Sequence, residues 1–110
     1  MQSFNSISKE NLAQRKAVHE ICRLFNKSPS KGNLKRIKEL CSHCGDGVII
    51  EAGFHCDYGS QMHIGDRTFI NINCTALDAP INEGAITIGS DCLIGPNVQL
   101  LAVSHAVNPA

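Results

Sequence analysis

The sequence predicts a mainly β solenoid behind a short α-helical cap, and three observations lead there. Up to about Asp46 the apolar residues recur at three- and four-residue spacing, the period of an amphipathic helix. Beyond Gly47 charges thin out, Val and Ile become frequent, and Gly, Asn and Asp return at regular intervals, as in short strands joined by tight turns. That second half also repeats in sixes: Ile64-Gly65-Asp66, Ile88-Gly89-Ser90-Asp91 and Ile94-Gly95-Pro96-Asn97 lie a whole number of hexads apart.

The first helix is expected over Ser8 to Asn26. Leu12, Ala13, Ala17, Ile21, Leu24 and Phe25 form its apolar side, and Lys9, Glu10, Gln14, Arg15 and Lys16 fill the gaps. Pro29, with Ser28, Ser30, Gly32 and Asn33 around it, ends that pattern. Leu34, Ile37, Leu40 and Cys41 then trace a second, shorter helix ending near Gly45. The division expected is a helical cap over 1–46 and a hexapeptide-repeat β-helix over 47–110.

Stepping by sixes from Ile64 meets Ile70, Ala76, Asn82, Ile88, Ile94, Leu100 and Ala106, a series in which Asn82 alone is neither apolar nor small. A six-residue period makes each hexad one flat face of a solenoid, with its aliphatic residue pointing into a narrow core. Asp91 and Asn97 then belong to turns or outward faces. The glycine after the aliphatic residue is expected at a corner where a Cβ would be costly. The stretch Ala79-Pro80-Ile81-Asn82-Glu83-Gly84 reads as a loop protruding from the stack.

Composition narrows the function. The chain's 110 residues, 43% hydrophobic, suit a single modest core. Ten basic and ten acidic residues cancel, aromatic content is 5% and there is no Trp, so a nucleic-acid surface is not expected. The N-terminus lacks a basic region followed by an apolar one, and no apolar run reaches membrane-spanning length. The expectation is a soluble cytoplasmic protein without membrane or nucleic-acid partners, whose six cysteines stay reduced and mostly act as small hydrophobic packing residues.

Three segments resemble the maltose and galactoside O-acetyltransferases, a family of hexapeptide-repeat acyltransferases. Arg15 to Pro29, centred on Cys22-Arg23-Leu24-Phe25-Asn26, is similar to their N-terminal helical region. Ile50-Glu51-Ala52-Gly53-Phe54-His55-Cys56-Asp57-Tyr58-Gly59, then Ile64-Gly65-Asp66 and Asn71-Ile72-Asn73-Cys74-Thr75-Ala76-Leu77-Asp78, looks like their first solenoid coils. Ile94-Gly95-Pro96-Asn97-Val98-Gln99-Leu100, running into Ser104-His105, resembles the approach to their active-site histidine. The resemblance implies a left-handed parallel β-helix, a homotrimer with active sites between subunits, and acetyl-coenzyme A as donor to a sugar or similar hydroxyl acceptor, with no metal and no covalent enzyme intermediate. It also implies a C-terminally truncated member, because the family continues for several further coils.

Acetyl transfer to a hydroxyl needs a base, since a neutral alcohol is a poor nucleophile. A histidine with a pKa of about 6.5 is mostly neutral and proton-accepting near pH 7. His105 is the expected general base. Asp57, Asn71 and Asp78 fall at positions resembling the acceptor-binding wall, although Asn and Asp are also ordinary turn residues. Departures from the family pattern are Ser6, where an acidic residue is frequent, and Ala106, where a proline often follows the histidine. Two other readings remain: a catalytically silent solenoid fragment that keeps at most oligomerisation, and a small zinc module on Cys41-Ser42-His43-Cys44, for which a lone Cys-x-x-Cys is weak support.

Overall fold

A computed structural model describes residues 9–79 and 84–102. Helix α1 spans Lys9–Lys27 and α2 spans Lys31–Leu40. The Ser30 hydroxyl caps α2 by accepting from the Asn33 amide at 3.1 Å. Asn33 in turn donates to the Ser28 carbonyl at 2.8 Å, which closes the end of α1. Helix α2 stops at Leu40, short of Gly45, because His43–Cys44 already forms the first strand.

The stripe α1 buries differs from the expected one. Val18, Cys22 and Phe25 are buried, with Ile21 packed beside them, whereas Leu12 and Leu24 are 48% and 39% exposed. The buried residues stand four and three apart, so the helical period holds and the face is rotated towards the residues that meet the solenoid wall.

Nine short strands follow among the described residues: β1 His43–Cys44, β2 Ile49–Ile50, β3 His55–Cys56, β4 Met62–Ile64, β5 Phe69–Ile70, β6 Thr75–Leu77, β7 Ile86–Ile88, β8 Leu93–Ile94 and β9 Gln99–Leu101. They stack as three parallel sheets, β1-β4-β7, β2-β5-β8 and β3-β6-β9. Every third strand lies on the same wall, which is the three-faced coil the hexad period predicts. The architecture is the expected mainly β, left-handed parallel β-helix with a short helical N-terminus.

Cα partners are 20 residues apart in the first step, as in His43↔His63, and 24 apart in the second, as in His63↔Thr87. The extra length of the second coil lies between β6 and β7, where the sequence predicts a protruding loop; residues 80–83 of it lie outside the described residues. Ile64, Ile70 and Ala76 are fully buried, Ile88 is 7% exposed, and Ile94 and Leu100 pack half-buried against the same core, as expected for the hexad series. On two of the walls the hexads also supply a second inward residue four places on, giving the columns Val48, Thr68, Cys92 and Phe54, Cys74, Val98. Thr68 is the polar member. Its hydroxyl donates to the Gly89 carbonyl and accepts from the Cys92 amide at 3.2 Å, so burial leaves no orphan.

Three residues after most of the inward residues the backbone enters the left-handed region, at Gly47, Gly53, Gly59, Arg67, Asn73, Asp91 and Asn97. The glycines directly after the aliphatic residue do not have this conformation. Gly65 is needed for a different reason: a Cβ there would lie 2.5 Å from the backbone nitrogen of Ser90 in the next coil. Asp91 and Asn97 are exposed turn residues, as expected.

Candidate functional site

Asp57 and Asp78 lie at the same corner of successive coils. β3 pairs with β6 in the register Cys56↔Ala76, so Tyr58 lies next to Asp78. Asp78 is 2% exposed; its Oδ1 accepts from the Tyr58 amide at 2.9 Å and its Oδ2 from the Gln61 amide at 3.2 Å. The Met62 amide closes the same turn on the Gly59 carbonyl at 2.9 Å, with Gly59 in the left-handed region at φ 78°. Asp78 therefore acts as the clamp of the Asp57–Gln61 corner. Burial pushes the Tyr58 hydroxyl pKa up, with the neighbouring Arg15 guanidinium acting against it.

Asp57 is half-buried, and its Oδ1 meets two imidazoles, His19 Nε2 at 2.9 Å and His55 Nε2 at 3.5 Å. The two rings are 4.5 Å apart and tilted by 46°. His55 and Asp57, two residues apart on an extended segment, share a side, whereas His19 arrives from α1. A cleft of about 240 Å³ opens beside them, lined by His19, Cys22, Arg23, Asn26 and His55. Cys22 and Cys56, both 1% exposed, face each other beneath it, and the thiol–thiol hydrogen bond, reinforced by burial, pushes the Cys56 thiol up.

Asn71 stands at a different corner, after β5. It is half-buried and its Oδ1 accepts from the Ile72 amide at 2.7 Å. Within one chain Asp57 and Asp78 are brought together and Asn71 is not. His105 lies outside the described residues. Cys41 and Cys44 do not gather a metal set: among the described residues the one group of three or more converging ligand atoms is His19, His55 and Asp57. Sequence reasoning weighed His55 only as a possible ligand beside Cys41 and Cys44, and did not group His19 and His55 with Asp57. The adjacency of His55 and Asp57 was visible, but nothing in α1 marked His19.

A three-faced parallel coil built on hexads defines the chain as a hexapeptide-repeat β-helix protein. It is 33% identical to a hexapeptide-repeat acetyltransferase from Vibrio cholerae, solved in complex with acetyl coenzyme A; that match has a TM-score of 0.73 and covers 86% of this chain and 50% of the other. Nodulation protein L of Rhizobium meliloti is 37% identical over 73 residues, 66% of this chain and 38% of that protein. Galactoside O-acetyltransferase of Escherichia coli is 36% identical over 72 residues, 66% of this chain and 34% of the enzyme. No protein-family profile matches the chain. The proteins it matches in sequence and structure include hexapeptide-repeat acetyltransferases and galactoside O-acetyltransferases. The chain spans about two fifths of the length of the curated relatives it matches, 38% and 40% for two of them.

Proposed function

We propose that this chain forms part of an acetyl-coenzyme A dependent O-acetyltransferase that modifies a sugar or similar small hydroxyl compound. The observation that carries the reading is the joint match in fold and sequence to an acetyltransferase solved with acetyl coenzyme A, at 33% identity over 86% of this chain. The relative named as a galactoside O-acetyltransferase supports the acceptor class.

In this reading His105 takes the proton of the acceptor hydroxyl as its oxygen attacks the thioester carbonyl. A C–O bond forms, the C–S bond breaks, and the imidazolium returns the proton to the departing thiolate. Asn71 and Asp57 hold the acceptor, and Asp78 supports that wall by fixing the Asp57–Gln61 corner on which Asp57 stands. Asn71 lies at another corner of the same chain, so the wall closes when a second copy brings its own corner alongside.

Assembly as a homotrimer has support from the outward faces. On the β2-β5-β8 wall the outward column is Ile49, Phe69 and Leu93, with Ile49 49% and Leu93 82% exposed. The β1-β4-β7 wall carries His43, His63 and Thr87, and the β3-β6-β9 wall His55, Thr75 and Gln99 followed by Leu77 and Leu101, the last 56% exposed. A wall whose outward column is apolar in all three coils suits a heterologous interface that closes into a ring.

A second reading, an assembly module without turnover, draws on the outer edges of β7, β8 and β9, which no described strand pairs. Thiol release from acetyl coenzyme A with maltose, glucose and galactosides separates the two. In a polypeptide of the relatives' full length carrying this sequence, His105→Ala is expected to lower turnover by about 10² to 10⁴ with the fold intact. Unchanged turnover in the folded variant would remove His105 from the mechanism. Absence of any acceptor-dependent release by the parent would favour the assembly module.

A further inference from the structure

We propose that His19, His55 and Asp57 form a site for one divalent transition-metal ion of the zinc class, which ties helix α1 to the first coil. The site does not rest on acetyl transfer, and a bound ion would take the Asp57 carboxylate from the acceptor-holding role proposed for it. The three ligand atoms, two imidazole Nε2 and one carboxylate oxygen, lie within 4.8 Å of one another, and the two contacts to Asp57 Oδ1 are 2.9 and 3.5 Å. Ligands held tetrahedrally at about 2.0–2.1 Å from zinc stand roughly 3.3–3.4 Å apart, so the observed spacing lies within a small rotamer adjustment of a coordination shell. Two imidazoles with one carboxylate suit zinc, cobalt or nickel; magnesium and calcium would ask for more oxygen donors.

The supports are rigid and far apart in sequence. His19 is in the middle of a 19-residue helix, and His55 begins a strand paired in parallel to β6. The side chains of His19, Asp57 and His55 are 29%, 21% and 39% exposed, open enough for an ion to enter from solvent. Both imidazoles line the cleft of about 240 Å³, which leaves room for a water as fourth ligand. The nearest cation lining that cleft, Arg23, is ion-paired with Glu20 at 3.0 Å on the exposed side of α1, which offsets its charge towards a bound ion. Cys22, one turn along the same face, has its thiol engaged with Cys56 and is not among the converging ligand atoms.

The test is a Zn²⁺ titration of the whole 110-residue chain, followed by calorimetry and by the imidazole nitrogen signals of its five histidines. Saturable binding of one equivalent is expected, with the rings of His19 and His55 shifting and those of His43 and His63 unmoved. His19→Ala and His55→Ala should each weaken binding by more than about tenfold, since even outer-shell changes at metal sites cost 10–100-fold. The Cys41→Ser/Cys44→Ser double variant should bind as the parent does. No binding, binding that survives both histidine substitutions, or binding abolished by the cysteine substitutions would each overturn the proposal. If a histidine variant fails to fold, the ring signals of the parent chain decide the matter alone.

Discussion

Single residues set how cap and solenoid meet. Asn26, at the end of α1, accepts through Oδ1 from the Gly53 amide at 2.7 Å and the Phe54 amide at 3.1 Å, and donates through Nδ2 to the Phe54 carbonyl at 2.9 Å. One side chain thus satisfies the backbone of a corner whose Phe54 is fully buried. Asn26→Ala leaves two amides and a carbonyl without partners and should destabilise the chain by about 1–3 kcal/mol, read as a lower urea midpoint at unchanged slope. The thiols follow a similar logic. Burial pushes the Cys41 thiol up to about 12, so at pH 8 roughly one in ten thousand is ionised, and its alkylation should be at least about 100-fold slower than in the unfolded chain. Because the folded value lies above the unfolded one, this thiol's contribution to stability is complete below about pH 9 and lost as pH rises towards about 12. Rapid labelling of Cys41 at neutral pH would show that the α2 end opens. The cysteines as packing residues were legible in the sequence, whereas the His19–Asp57 contact was not: it spans 38 positions, and no local period links a helix residue to a strand that far away.

At the scale of the elements, the hexad series was readable because the lengthened second coil keeps its phase: Ala76 and Ile88 are two hexads apart and both point inward. The earlier coil was hidden. Cys44, Ile50 and Cys56 are spaced in sixes but stand two residues out of phase with Ile64, since the corner held by Asp78 carries two extra residues. At the exposed corners Arg67 pairs with Asp91 of the next coil, with Nε–Oδ1 at 2.8 Å and Nη2–Oδ2 at 2.9 Å. It holds the Asp91 carboxyl below its ordinary value, and solvent screening leaves it little weight in stability. Stacking is the stronger constraint. Gly53, at φ +90°, would place a Cβ 2.8 Å from the Asn73 backbone nitrogen, whereas a Cβ on Gly95 would meet nothing within 4 Å. Gly53→Ala combines left-handed strain with overpacking and is expected to cost about 2 kcal/mol or more, while Gly95→Ala should stay within about 0.5 kcal/mol. Equal melting temperatures for the two variants would show that the coils do not approach each other as closely as described.

For the whole molecule, the open question is which surfaces meet other copies, and the two unsatisfied surfaces call for different assemblies. The apolar column Ile49, Phe69, Leu93 runs along one wall, parallel to the stack, so copies that join through it lie side by side and the assembly can close. The outer edges of β7, β8 and β9 end the described stack, and pairing there is templated by unpaired amides and carbonyls without a closed count. Light scattering across a concentration series distinguishes them, because a closed trimer gives a plateau at three chain masses and edge pairing gives a mass that keeps rising. The plateau is expected. Leu93, 82% exposed in the single chain, supplies much of the column, so Leu93→Asp should shift the plateau towards one chain mass; Thr87→Asp, on a polar wall, should leave it unchanged. A mass that climbs without limit, or a plateau indifferent to Leu93→Asp, would mean that the apolar wall is not the contact, and the between-subunit acceptor wall formed by Asp57 and Asn71 would lose its support with it.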